Sequence, residues 1–277
     1  MTQSNSKPRR RIKPLTIFGI LGIALVAFAI VGPWIYPQDP WAMAGAPFVW
    51  PFTSTDHIFG TDSLGRDVAA GLLYGARLSL LISSVAAGTA LTIGVLVGAI
   101  AGYYRGWVDD VLMRLTDTLQ TTPSFLMMIV LVAVFGSTVG VLIVAIGIVS
   151  WPPVARLTRA EFLTLRERDY VNAARLLKKS DLHIILREIL PNALPPILVM
   201  VSILVANGIL SEAALSFLGL GDPNATSLGS MIGTGRESMR SAWYLVAVPG
   251  SMIILIVVVV NILGDLLNDR LNPRGRQ

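Results

Sequence analysis

The stretch RERDYVNAARLLKKSD, residues 166–181, is a charged island between two long hydrophobic segments. Hydrophobic residues make up 53% of the 277-residue chain and charged residues only 14%, whereas a soluble domain carries about 25% charged residues. So few charges cannot cover a globular surface, and lipid must therefore be part of the solvent. A large, patterned, basic loop between two membrane spans predicts a contact with something in the cytoplasm.

The rest of the composition narrows the class of protein further. The chain has no cysteine, which excludes disulfides and thiolate metal sites. Its formal net charge is +5, which is compatible with nucleic-acid binding in principle. The cations are spread over the loops, however, and membrane topology explains them better. We therefore expect the lipid bilayer as a partner and no nucleic acid.

Six apolar segments are long enough to cross a bilayer, which takes about 20 mostly apolar residues. They run from about 15 to 36, 78 to 104, 118 to 135, 139 to 157, 193 to 215 and 242 to 263. The first could instead be a cleaved signal peptide, but its apolar run is long and the Pro-Trp pair at 33–34 is a poor cleavage site. Pro123 is expected to kink the third span. Gly94, Gly98 and Gly102 leave one face of the second span nearly bare, which favours close packing within the chain.

An even number of spans places both termini on one side of the membrane. Most Lys and Arg residues fall on that side, so the positive-inside rule makes both termini and the charged island cytoplasmic. The predicted fold class is an all-α integral membrane protein. Its predicted segments are a cytoplasmic N-terminal tail at 1–14, the first span at 15–36, an outer loop with an amphipathic segment at 37–77, a core transmembrane domain at 78–268 that contains a cytoplasmic loop at 158–190 and an outer loop at 216–241, and a cytoplasmic tail at 269–277.

The island shows the spacing of two short helices. Apolar and small residues recur at helical intervals from 170 to 177 and again from 182 to 189, and Ser180 is placed to cap the second helix. Ala173 and Ala174 make the first helix thin, which suits a groove on a partner protein. The alternative is an amphipathic helix that rests on lipid headgroups. The spacing leaves both interpretations open.

Three motifs resemble the permease subunits of ABC importers. YVNAAR at 170–175, continued by ILPN at 189–192, resembles the cytoplasmic Glu-Ala-Ala loop of that family. HIFGTDSLGRDV at 57–68 with GARLSL at 75–80 resembles the segment after the first span in peptide- and nickel-type permeases, and SFLGLG at 216–221 resembles the segment after their fifth span. The resemblance covers about residues 15–273 and is closest to the second permease subunit of dipeptide and oligopeptide systems.

The resemblance implies a type I ABC-importer permease in a bacterial or archaeal cytoplasmic membrane. It implies an ATP-driven importer for di- and oligopeptides that also needs a homologous second permease subunit, two ATPase subunits and an extracytoplasmic substrate-binding protein. This chain lacks the Gly-x-x-x-x-Gly-Lys-[Ser/Thr] phosphate cradle, so it is expected to bind no cofactor and to be no enzyme. ATP and Mg²⁺ are expected on the ATPase subunits. The same architecture could import a nickel chelate, glutathione or another small solute, and a stand-alone secondary transporter is a rival of another class.

The resemblance also implies roles for individual residues in the loop at 158–190, which would couple the permease to the ATPases. The expected coupling residues are Tyr170, Asn172, Ala173, Ala174, Leu177, Lys178, Ser180, Asp181, Arg187 and Pro191. The chain departs from the family pattern twice, with Asn172 in place of the usual Glu and Lys178 in place of the usual Gly. Asn172 removes a carboxylate that could pair with the ATPase, and Lys178 is expected to remove a flexible turn and to add a cation.

Two further groups of polar residues are candidates on the outer half. The outer-face motif consists of Gly60, Asp62, Gly65, Arg66 and Asp67. It predicts a collar at the outer face, and its carboxylates are too few for a metal site.

Asn207, Ser211 and Glu212, in or near the fifth span, are candidates for the translocation path, because an intramembrane carboxylate is a functional candidate by default. For Glu212 we favour the alternative of an outer-interface ion pair with Arg236 or Arg240.

Overall fold

The computed structural model describes residues 31–271, together with position 27. The predicted N-terminal tail, most of the predicted first span and the last six residues lie outside the described residues. The regular secondary structure of the described range is helical, with two isolated β-bridges but no β-strand, and residues 36–67 form turns and irregular segments. Residues 31–35 are helical. The main helices are α1 Val68–Tyr104, α2 Gly106–Thr121, α3 Ser124–Phe135, α4 Val139–Leu165, α5 Asp169–Leu176, α6 Asp181–Phe217, α7 Leu228–Gly235 and α8 Tyr244–Leu271.

Four of these helices, α1, α4, α6 and α8, are long and apolar enough to cross a membrane. Helices α2 and α3 together meet the same test but are bent by 84°, which confirms the predicted kink at Pro123. The described helices therefore account for the second to sixth predicted spans. Below, the inner and outer ends of these helices are named by the predicted topology.

The helices run further than the predicted spans. Helix α1 begins ten residues before Leu78, α4 continues through Pro152 and Pro153 to Leu165, and α6 begins at Asp181. Hydropathy marks only the part of a helix that lipid surrounds, whereas the backbone hydrogen bonds continue into the polar ends. The two prolines lack N–H groups but do not end α4, because neighbouring helices can support an interrupted helix in a membrane.

Helices α1 and α4 form the centre of the fold. A Cβ atom at Gly94 would lie 2.5 Å from Cβ of Val154, and one at Gly102 would lie 2.6 Å from Cβ of Phe162. A Cβ atom at Gly98 would overlap the carbonyl oxygen of Ala155. The glycine face predicted from the sequence is therefore the contact face for α4, inside the chain. Helix α6 packs on both α1 and α4, and α8 packs on α6.

Candidate functional site

The charged island has the predicted order of helix, break and helix. Helix α5 ends at Leu176, and α6 begins at Asp181 with Ser180 as its N-cap, whose hydroxyl accepts from the backbone N–H of His183 at 3.4 Å. A π-helical turn from Ile184 to Ile189 then joins the island to the membrane-spanning part of α6.

Lys178 lies in the break between the two helices and has a φ of +54°. This is the left-handed region, which glycine enters freely and other residues enter at a cost of about 1–2 kcal/mol. The expectation that Lys178 removes the turn is therefore wrong. The turn is kept, and lysine adopts the backbone conformation that the resemblance assigns to glycine.

Burial divides the island into two faces. Val171, Ala174, Ile184 and Ile189 are at most 3% exposed and belong to one apolar cluster with Phe162 of α4. The predicted apolar strip of the first helix is wrong at Ala174, because that side chain faces the core of the chain itself. The neighbouring predicted residues are exposed, and they are Tyr170, Asn172, Ala173, Leu177 and Lys178.

Four leucines are exposed on the outward face of the island, and we call them the leucine patch. Their exposed fractions are 85% for Leu176, 74% for Leu177, 65% for Leu182 and 50% for Leu186. Cations lie beside them in the chain, and Lys178, Lys179 and Arg187 are all exposed. Exposed apolar side chains that are grouped within a short segment and flanked by charges are typical of a protein or membrane contact.

Polar contacts fasten the island to the inner end of α1. The hydroxyl of Tyr103 donates to Asp181 at 2.7 Å, and the guanidinium of Arg166 donates to the backbone carbonyl of Tyr103. Burial lowers the pKa of the Arg166 guanidinium, and the nearby charge of Arg175 lowers it further. The Arg175 guanidinium lies 6.0 Å from the centre of the Tyr103 ring. These contacts tie the island to the inner end of α1.

Ion pairs hold α2 against the inner half of α4. Arg159 donates two hydrogen bonds to the carboxylate of Asp109, which is 8% exposed, and Arg156 donates to Asp117 at 2.6 Å. Bidentate pairs of this kind fix orientation as well as distance. The arginines and Tyr103 were missed in the sequence. Their signal was the cluster of charges at the polar ends of the apolar segments.

The contacts of the exposed island residues stay within the island or reach the start of α6. Asn172 accepts from Arg175 at 3.3 Å and donates to the carbonyl oxygen of Glu167 at 3.5 Å, both within the island. Lys179 pairs with Glu188 at 2.9 Å across the break. Pro191 is exposed at the end of the π-helical turn. The structure thus brings the island residues onto one compact unit, with Asn172 on its surface.

The outer-face motif caps the outer end of α1. Asp67 is the N-cap, and one of its carboxylate oxygens accepts from the N–H groups of Ala69 and Ala70. The other oxygen lies 2.9 Å from the hydroxyl of Tyr36 and 2.9 Å from Nδ1 of His57. These contacts satisfy the carboxylate within the protein, so the motif is a structural cap.

The turns of this motif depend on glycine. Gly60 and Gly65 have φ values of +79° and +74°, and a Cβ atom at either position would overlap a backbone carbonyl oxygen. Asp62 accepts from the N–H groups of Leu64 and Arg66, both at 2.8 Å. Arg66 stacks its guanidinium 4.7 Å from the centre of the Trp41 ring.

Glu212 does not make the expected ion pair. Its side chain is 1% exposed, and its carboxylate accepts from the hydroxyls of Ser79 at 2.8 Å and Ser216 at 2.7 Å. The expected pair with Arg236 or Arg240 is therefore wrong, because this position on α6 faces α1.

The three path candidates do not share one face of α6. Asn207 is exposed and Ser211 is half-buried, whereas Glu212 is enclosed in the protein. Asn207 and Ser211 stay predictions.

Comparisons with known proteins agree on one family. The family model described as "Binding-protein-dependent transport system inner membrane component" matches residues 94–277. A putative peptide transport system permease protein of Brucella suis is 40% identical over 256 residues, which cover 92% of this chain and 86% of the relative. The di/tripeptide transport system permease protein DppC of Pseudomonas aeruginosa is 37% identical over 263 residues, 92% of this chain and 87% of the relative.

Two other similarities bear on cargo and fold. The glutathione transport system permease protein GsiD of Pectobacterium atrosepticum is 35% identical, with 92% of this chain and 85% of the relative covered. A chain of the MetNI methionine ABC transporter, solved in an inward-facing conformation, superimposes with a TM-score of 0.61 and 17% identity over 73% of this chain and 96% of that one. At that identity the likeness concerns the fold alone.

Proposed function

This chain belongs to the family of binding-protein-dependent transport system inner membrane components, and we propose that it is a permease subunit of an ATP-driven importer for di- and oligopeptides. The observation that carries the proposal is the leucine patch. It is an exposed apolar surface on a charged island that is fastened to the inner end of α1. The names of the Brucella suis and Pseudomonas aeruginosa relatives support a peptide cargo.

The partner proposed for the leucine patch is an ATPase subunit. Burying Leu176, Leu177, Leu182 and Leu186 in a groove removes their apolar surface from water, at about 25 cal/mol per Å². The flanking cations suit a groove with an acidic rim. ATP and Mg²⁺ belong on the two ATPase subunits, and this chain binds neither. The island and both termini face the cytoplasm of a bacterium or archaeon in this proposal.

The contacts around Tyr103 suggest how the movement is transmitted. When the ATPases close on ATP, the island moves with them, and the bonds of Tyr103 to Asp181 and Arg166 pull on α1. Helix α4 follows, since its glycine-lined contact with α1 leaves no room to slide. A homologous second permease subunit would supply the other wall of the path, and an external binding protein would deliver the peptide. ATP binding thus biases a two-state rigid-body switch.

The docking role is tested by a matched pair of substitutions on α5. Ala173→Glu places a charge on the exposed face and is expected to leave the chain folded. If that face is buried in a groove, the charge weakens docking by about 2–3 kcal/mol, roughly 30- to 150-fold in affinity. Ala174→Glu puts the same charge into the apolar cluster and is expected to reduce the yield of folded protein. Ala44→Glu, exposed on the opposite side of the membrane, is the control.

The measurements are co-purification with the ATPases, peptide-stimulated ATP hydrolysis and uptake into proteoliposomes. The expected result is that Ala173→Glu loses all three while Ala44→Glu keeps co-purification. Normal co-purification and uptake of Ala173→Glu would overturn the docking role and favour headgroup contact. ATP-independent uptake by the purified chain alone would favour a stand-alone transporter. The cargo is tested by adding unlabelled glutathione or a nickel chelate and measuring whether it reduces the uptake of labelled dipeptide.

A further inference from the structure

A row of polar side chains is exposed where α2 and α3 meet. Every residue from 117 to 124 is exposed except Leu119, which is half-buried. We define the polar break as the uncharged hydrogen-bonding residues of this row. They are Thr118, Gln120, Thr121, Thr122 and Ser124.

The polar break lies at membrane depth. Leu119 packs against the cluster that contains Trp151 of α4 and Leu204 of α6. Trp151 follows Val139, the first residue of α4, by twelve residues, which is about 18 Å along a helix at 1.5 Å per residue. The hydrocarbon core is about 30 Å thick, so this part of α4 and the break beside it fall within the predicted span, on the outer side of the Arg156–Asp117 ion pair.

Several of these polar groups are not satisfied by the protein. The hydroxyls of Thr118 and Thr121 donate to carbonyl oxygens of their own helix at 2.8 Å and 2.7 Å. No such contact is made by Gln120 or Thr122 within residues 31–269. Pro123 has no N–H to donate to the carbonyl oxygen of Leu119, so the backbone adds a free acceptor.

Contact between this polar surface and lipid would be energetically unfavourable. Polar groups without partners are costly in hydrocarbon, and irregular backbone at membrane depth is tolerated where it is buried in protein or lines a water-filled cavity. By contrast, α3 beyond the break exposes apolar residues, with Val130 at 59% and Val134 at 71%. The exposed side chains thus change from polar to apolar within about two turns of α3. This change marks the boundary between a water-facing surface and a lipid-facing one.

We propose that the polar break lines the water-filled path for peptides and binds their backbone amide groups. A carboxamide such as that of Gln120 donates and accepts at once, as a peptide group does, and the hydroxyl of Thr122 can do the same. The five side chains carry no charge, and Asp117 at the start of the row is paired with Arg156, so the polar break recognises the repeating backbone without selecting among peptide side chains. This proposal rests on the proposed function, because it assumes a peptide cargo.

The test uses the absence of cysteine from the chain. Gln120→Cys and Thr122→Cys each introduce a single thiol, and Val134→Cys is the matched control on the apolar face of α3. Each variant is assembled with cysteine-free partner subunits in nanodiscs and treated with a charged, membrane-impermeant maleimide. We expect thiols 120 and 122 to be labelled fully while thiol 134 stays unlabelled. Dipeptide delivered by the binding protein should slow labelling at 120 and 122.

Two results would overturn the proposal. Labelling at 120 and 122 as poor as at 134 would place the polar break away from water. Thiols that react in the isolated chain but not in the complex would place it against the second permease subunit. Dipeptide uptake by the unmodified complex is measured in parallel. Failure of that uptake contradicts the proposed function, whereas normal uptake without labelling contradicts only the role of the polar break.

Discussion

Replacing Lys178 by glycine should tighten the turn of the island. Lys178 has a φ of +54°, and a left-handed conformation costs a residue with a Cβ atom about 1–2 kcal/mol. Glycine removes that cost, but it also has more backbone conformational entropy in the open state, which offsets about 0.4–1 kcal/mol of the gain. The difference favours the closed turn by about 0.5–1 kcal/mol, roughly two- to fivefold in the local opening equilibrium.

The assay is hydrogen exchange on the assembled complex, followed on a peptide that spans the break. The N–H of Lys179 reports directly, because it donates to the carbonyl of Ala174 at 3.2 Å across the turn. Lys178→Gly should slow its exchange about two- to fivefold if exchange follows local opening. Lys178→Ala is the control, since it removes the charge but keeps the Cβ atom.

The Lys178→Ala control separates the effect of the backbone conformation from the effect of the lysine charge. If Lys178→Ala slows exchange as much as Lys178→Gly, loss of the cation explains the effect. If Lys178→Gly speeds exchange, the left-handed turn is not strained and the reasoning from φ is wrong. Docking should survive the change to glycine, because the leucine patch does not depend on the lysine side chain.

Two further predictions concern the packing of the membrane helices. Glu212→Ala leaves the hydroxyls of Ser79 and Ser216 without their acceptor. It should lower the free energy of unfolding by about 1–3 kcal/mol, which is measured as faster thermal loss of the complex in detergent. Equal stability of Glu212→Ala and wild type would contradict this prediction. Gly98→Ala, whose Cβ atom would overlap the carbonyl of Ala155, should cost about 1–3 kcal/mol. Gly88→Ala in the same helix has open space and should be tolerated, so equal losses from the two glycine substitutions would refute close packing at Gly98.

Patterns local in the chain predicted much of the fold. The apolar runs located the four long apolar helices and the bent pair that the structure describes. The bare face at Gly94 and Gly98 indicated close packing within the chain, and Pro123 marked the bend. Ser180 marked the start of the second island helix. These predictions succeeded because hydropathy, glycine spacing and capping act through neighbours in the sequence.

The errors at Ala174 and Glu212 share a physical cause. Ala173 and Ala174 are alike in sequence, yet only Ala174 is buried, because burial depends on which way α5 rotates against Phe162 of α4. Glu212 was assigned an arginine partner, whereas the structure supplies Ser79 from a helix far away in the chain. A sequence shows that a carboxylate needs a partner, but the partner is chosen by packing.

The sequence by itself determined the membrane class, the helical segments and the charged island, because lipid and water sort residues by polarity wherever the chain leads. Tertiary structure alone decided which face of the island is free, how Tyr103 fastens it to α1, and that the polar break between α2 and α3 lies beside the buried cluster of α4 and α6. These features depend on contacts between residues distant in the chain, such as Leu119 with the cluster that contains Trp151. The distances and rotations of packed helices, which no local pattern encodes, set those contacts.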